Sequence, residues 1–247
     1  MRLKCGVRVP VKMSQTILLV CLFAVAFGFV EASVVDYLRQ AYYPEGFAFP
    51  LKPALMSQMV VELSREFATI VMLAAVGMIA GKSRWQRFSY FMIAFGVWDI
   101  FYYVFLKCIC SWPRTLNDWD VLFLLPLPWW GPVLAPILIA FLMIFGGTLL
   151  SQYDCPERPL WPSRWPVVAN CAGVFLALYV FMADALRLLP QGEDALRRLL
   201  PTYFNWPLFL VALVLMAVPI GELARRVWFP QEPGGGRLAG QIRESTQ

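Results

Sequence analysis

The chain has 247 residues, of which 60% are hydrophobic and 15% charged, against about 45–50% apolar and about 25% charged in an ordinary soluble domain. That balance excludes a typical cytosolic enzyme and predicts a multi-pass membrane protein. The length is better divided by the roughly 20 apolar residues needed to cross a bilayer than by the size of a soluble domain. The net charge of +5 reads as a topology signal rather than a nucleic-acid surface.

Six apolar stretches are tested against a span of roughly 30 Å at 1.5 Å per residue. The first, Met13 to Val30, follows Arg2, Lys4, Arg8 and Lys12, and Val30-Glu31-Ala32 resembles a signal cleavage site; it is read as an uncleaved first span. The second, Phe67 to Gly81, supplies only about 22 Å, so a full crossing brings Glu62-Leu63-Ser64-Arg65-Glu66 into the bilayer. The third, Phe88 to Leu106, carries Asp99 in its interior.

Between Val121 and Leu150 there is no charge, but Leu125-Pro126-Leu127-Pro128-Trp129-Trp130-Gly131-Pro132 cannot be regular helix, because proline lacks a donor and clashes with the preceding turn. Val121 to Trp130 is therefore expected to be re-entrant or interfacial, with Gly131 to Leu150 as the fourth span. Pro166 to Ala183 and Tyr203 to Ile220 are the fifth and sixth, both opened by Trp and Pro at the membrane boundary. The expected fold is an all-α polytopic bundle, one domain over 1–228 with spans near 13–33, 60–81, 87–107, 131–150, 166–184 and 203–221. The proline- and glycine-rich 229–247 is expected to be a disordered cytoplasmic tail.

Lys and Arg are retained on the cytoplasmic side. With the N-terminus inside, thirteen fall in inner segments and eight in outer ones, which predicts cytoplasmic N- and C-termini. Eleven of the sixteen carboxylates then lie in the outer half. By helix rise, Asp99 sits about 12 Å and Glu66 about 8 Å below the outer end of their spans, with Glu62 and Glu31 near the edge.

Charge at membrane depth is paired, neutralised or hydrated, and it usually faces the bundle interior. The expectation is an outward-facing cluster of Glu31, Glu62, Arg65, Glu66 and Asp99, supported by Tyr102 and Tyr103 one turn beyond Asp99 and by Asp118 and Asp120 at its lip. Such acids can pass protons or coordinate a hard cation; equally, they can be a salt-bridge knot that fixes helix register. Asp118-Trp119-Asp120 can likewise be a plain outer loop anchored by Trp119, Trp129 and Trp130.

The chain has no histidine, which removes His-ligated haem, zinc triads and Ser-His or Cys-His catalysis. No phosphate-binding glycine loop and no nucleophile elbow is present. Cys108 and Cys110 form a C-x-C on the outer side, read as a redox or soft-metal pair or as small apolar residues. Gly77 and Gly81 form a G-x-x-x-G that permits close helix packing. No metal and no cofactor is assigned; a quinone, carotenoid or chlorophyll held without His leaves no pattern to read.

The strings Phe27-Gly28-Phe29-Val30-Glu31-Ala32, Phe95-Gly96-Val97-Trp98-Asp99-Ile100-Phe101-Tyr102-Tyr103 and Asp118-Trp119-Asp120-Val121-Leu122-Phe123 resemble those of an uncharacterised bacterial multi-pass inner-membrane family. The resemblance spans approximately the first four spans, implies a bacterial inner-membrane location and carries no activity. Three functions stay open: an accessory or assembly subunit of a larger membrane complex, a small proton- or cation-handling transporter, and a lipid-active enzyme with paired carboxylates. The expected partners are the bilayer and other membrane proteins, with no nucleic acid; an enzyme is the least favoured of the three.

Overall fold

The computed structural model describes residues 11–43, 56–124, 127–153, 161–191 and 203–228. The expected tail at 229–247 lies outside the described residues. Six helices are long and apolar enough to cross a membrane. They are α1 (Val11–Tyr42), α2 (Met56–Ala80), α3 (Arg84–Cys110), α4 (Leu134–Tyr153), α5 (Arg164–Leu188) and α6 (Trp206–Trp228). The chain is an all-α bundle with one small insertion.

That insertion is the proline-interrupted stretch. Trp119–Phe123 (β1) and Trp129–Pro132 (β2) pair antiparallel, with Asp120 opposite Gly131 and an irregularity between Val121 and Phe123. Prolines that forbid helix thus leave a two-stranded hairpin, whose backbone groups pair with each other. Helix α4 begins only at Leu134 because Gly131 and Pro132 belong to the hairpin, and Pro136 sits in its first turn, where the missing N–H has no helical partner to lose.

Several helix ends are set by local chemistry. Ser83 caps α3, its Oγ accepting from Gln86 N at 3.1 Å, while Gln86 Oε1 accepts from Lys82 N, just before the cap, at 3.1 Å. The far end of α3 stops at Ser111, in the left-handed region at φ 57°, followed by Trp112-Pro113. Helix α1 continues past its apolar run to Tyr42, so Glu31, Val35 and Arg39 are stacked along one face at intervals of four.

Helix α3 is the hub. It packs against α1, α2 and α4, while α6 packs against α4 and α5. A Cβ on Gly96 would lie 2.6 Å from the Ala140 carbonyl oxygen, and one on Gly173 would lie 2.7 Å from that of Ala212, so α3–α4 and α5–α6 meet backbone to backbone. Gly77 of the G-x-x-x-G approaches Arg87 and Phe91 of α3. One apolar cluster gathers Val20, Ala24, Leu73, Ile93 and Trp98 from α1 to α3. A second gathers Ala135, Phe181, Phe204, Phe209 and Met216 from the other half.

Away from the hairpin, Trp161 packs against Trp85 of α3, the rings tilted by 30° with centroids 3.6 Å apart. There Glu222 accepts from Ser163 N (2.9 Å), Ser163 Oγ (2.6 Å) and Arg226 (2.5 Å). Much of the outside of the bundle is apolar: Ile79 is 86% and Phe175 73% exposed, as lipid-facing helices require.

Candidate functional site: a carboxylate chamber above an apolar trough

At the hairpin end, side chains from α1, α2, α3 and β1 close on one another. Arg65 Nε donates to Glu62 Oε2 at 3.0 Å and Arg65 Nη2 to Glu62 Oε1, giving a two-pronged pair, while Nη1 donates to Glu31 Oε1. Thr69 Oγ1 also donates to Glu31, at 3.3 Å. These links tie α1 to α2. Arg65 is half-buried and Glu31 is buried, which strengthens each link by thinning the surrounding water.

Glu66 turns the other way. Both its carboxylate oxygens accept from the main-chain N–H of Leu124, at 3.1 and 3.0 Å, so the hairpin is held to α2. Asp120, buried on β1, accepts from Arg39 Nη2 at 2.9 Å, from the Tyr102 hydroxyl at 3.4 Å and from Tyr103. Burial pushes the Asp120 carboxyl upward in pKa, opposed by the Arg39 charge and by these donors. The guanidinium carbon of Arg39 lies 3.9 Å from the centroid of the Trp112 ring. On the far strand, Trp130 Nε1 donates to Asp184 of α5 at 3.2 Å.

A cavity of about 560 Å³ starts in this knot, within the size range of small-molecule sites. Its polar end is lined by five carboxylates, Glu31, Glu62, Glu66, Asp99 and Asp120, and two guanidiniums, Arg39 and Arg65. Its other end is mainly apolar, reaching Phe88, Met92, Met143 and Val174, with the amide of Asn170 also in its wall and donating to the Met216 carbonyl at 3.1 Å. Along α3 it extends from Tyr103 to Phe88, about 22 Å by helix rise.

Asp99 stands where the two halves meet. On its own helix face Phe95 lies one turn toward the trough and Tyr102 one turn toward the chamber, and all three line the cavity. Among the described residues Asp99 makes no hydrogen bond and no ion pair, whereas each of the other four acids does. Next to it, the buried indole N–H of Trp98 has no partner in the structure.

The sequence-derived cluster is therefore placed as follows. Glu31, Glu62, Arg65, Glu66 and Asp99 line one cavity, and Tyr102, Tyr103 and Asp120 line it with them. Asp118 does not. Its carboxylate accepts from Arg114 N at 2.7 Å and Thr115 Oγ1 at 2.8 Å, closing a turn before β1. The slight burial there would raise its pKa, but those two donors and the Arg114 charge hold it below the usual carboxylate value.

Arg39 is the residue that the sequence leaves in an outer loop and the fold brings into the chamber. Its signal was the four-residue spacing from Glu31 and Val35, visible only once α1 is continued beyond its apolar run. Among the described residues no group of three His, Cys, Asp or Glu is arranged to hold a metal ion. Cys108 and Cys110 are exposed and not disulfide-bonded.

No protein-family model, curated protein or solved structure matches the chain.

Proposed function

We propose that this integral membrane protein binds a membrane amphiphile, taking its chain into the apolar trough and its head group into the carboxylate chamber, with Asp99 as the group that gives or takes a proton there. The observation that carries this is the junction at Asp99: one cavity, apolar on one side and charged on the other, with an unpartnered carboxylate between them. A register-fixing knot asks only that charges be paired and helices packed. An accessory-subunit role asks the same. A 560 Å³ cavity ending on an open acid goes beyond both.

Entry from the side fits the packing. Helices α2 and α5 both line the cavity, yet α2 packs on α3 and α1, and α5 on α6 and β2. Two cavity-lining residues, Phe88 of α3 and Val174 of α5, are 45% and 37% exposed, which supports a trough reached from the lipid side. The excess of lysine and arginine in the segments away from the hairpin supports an orientation with the hairpin outside and both termini cytoplasmic; the resemblance of its first four spans supports a bacterial inner membrane.

Native mass spectrometry of the protein, released from its own membrane in mild detergent, tests the proposal. A stoichiometric amphiphile is expected on the wild type and is expected to be lost in Val174→Trp, which fills the trough. Bare protein, or protein carrying only other polypeptides, would overturn it.

A further inference from the structure

We infer that the head group taken by this cavity is a cation, so that the ligand class is a lipophilic amine; the inference rests on the amphiphile-binding proposal and narrows it. Three head-group chemistries are possible: anionic, as in a phosphate; neutral, as in an alcohol; and cationic, as in an ammonium. The chamber discriminates among them by charge.

Five carboxylates face two guanidiniums in one cavity. Both guanidiniums are already committed, Arg65 to Glu31 and Glu62, and Arg39 to Asp120. A phosphate entering from the trough would meet Asp99 first and would find its counter-charges held by other acids, in a setting of low dielectric where like charges repel strongly. An alcohol could donate a hydrogen bond to Asp99 but would bring no positive charge to a cavity where acids outnumber guanidiniums. An ammonium both donates to Asp99 and reduces the excess.

A second observation is independent of the acids. The cavity that Asp99 lines has several aromatic walls: Phe95 and Tyr102 lie one turn to either side of Asp99 on α3, and the Phe123 and Trp129 rings of the hairpin, stacked with centroids 5.0 Å apart, line the same cavity. All four are half-buried, so ring surface is left facing the cavity. A carboxylate set among aromatic faces is the pattern by which organic ammonium groups are recognised. The same rings do nothing for a phosphate, whose charge they repel.

The test compares three probes that share one chain: dodecylamine, dodecyl phosphate and 1-dodecanol, each added at equal concentration to the detergent-solubilised full-length protein near neutral pH. Native mass spectrometry counts the bound fraction. Dodecylamine is expected to exceed dodecyl phosphate by at least about tenfold, the scale of one charge-assisted hydrogen bond. Its binding is expected to fall by a similar factor in Asp99→Asn, and to be unchanged in Asp118→Asn, whose carboxylate lies outside the cavity.

Equal or tighter binding of the phosphate or the alcohol, blocked by Val174→Trp, would overturn the amine assignment and leave the amphiphile proposal standing. Failure of all three probes would count against both. Were Asp99→Asn not to fold, the ranking of the three probes on the wild type would still decide.

Discussion

Arg39 near the end of α1 and Asp120 on the first strand of the hairpin, 81 positions apart, meet at 2.9 Å. Both side chains are nearly enclosed, at 12% and 3% exposure. Through this pair the long helix α1 is fastened to the β-hairpin. The hydroxyls of Tyr102 and Tyr103 converge on the same carboxylate, so α1, α3 and β1 share a single buried acid.

Removing that acid is expected to do more harm than the loss of one surface ion pair. Asp120→Ala takes a buried carboxylate away from the enclosed Arg39 guanidinium and from the two tyrosine hydroxyls, and the expected destabilisation is about 3–5 kcal/mol. Asp120→Asn, which keeps an acceptor for the tyrosines, is expected to cost less. Thermal unfolding in a fixed detergent, followed by tryptophan fluorescence, measures both; equal and small effects would mean that the pair contributes little.

The helix contacts give a sharper test. Gly96→Ala drives a methyl toward the Ala140 carbonyl oxygen and Gly147→Ala toward that of Ser89, at 2.6 and 2.7 Å for an unrelaxed Cβ. Each is expected to cost about 1–3 kcal/mol through overpacking. Gly221→Ala meets nothing within 4 Å and is expected to be neutral or stabilising, by up to about 1 kcal/mol of helix propensity. The same unfolding assay ranks the three; a loss at Gly221 equal to that at Gly96 would contradict the close-packing account.

The bundle was legible from the sequence because its signal is long: uncharged runs of bilayer length survive any local detail. The acids that gather at one end were legible too, since Glu62, Glu66 and Asp99 fall within or beside such runs and Glu31 ends the first. What the sequence withheld depends on register and turn geometry. Prolines at 126, 128 and 132 exclude helix without saying what replaces it, and the hairpin that results is what carries Asp120 into the chamber. Arg39 lies beyond the apolar stretch, where hydropathy stops informing. The trough was invisible because its walls, among them Met92, Met143 and Val174, are residues that any packed or lipid-facing helix would use.

Acidification separates Asp118 from the chamber. Its carboxyl titrates below the usual value in the folded chain, so its contribution is complete above the unfolded value of about 4 and is lost as pH falls through the folded one. Below about pH 4 the melting temperature of the wild type is expected to drop more steeply than that of Asp118→Asn. Parallel slopes would show that the bonds from Arg114 and Thr115 do not favour the ionised form.

Orientation is open to direct chemistry. Cys108 and Cys110 are exposed at the hairpin end of α3. A membrane-impermeant maleimide added from the non-cytoplasmic side is expected to label them, and Cys108→Ser with Cys110→Ser is expected to abolish that labelling. Labelling seen only after the inner face is opened would reverse the proposed topology.

One group that holds Glu66 to the hairpin is a main-chain N–H, that of Leu124. Every residue except proline brings that donor with it. This bond between α2 and the hairpin therefore does not depend on which side chain stands at position 124, while one specific replacement, Leu124→Pro, deletes the donor outright.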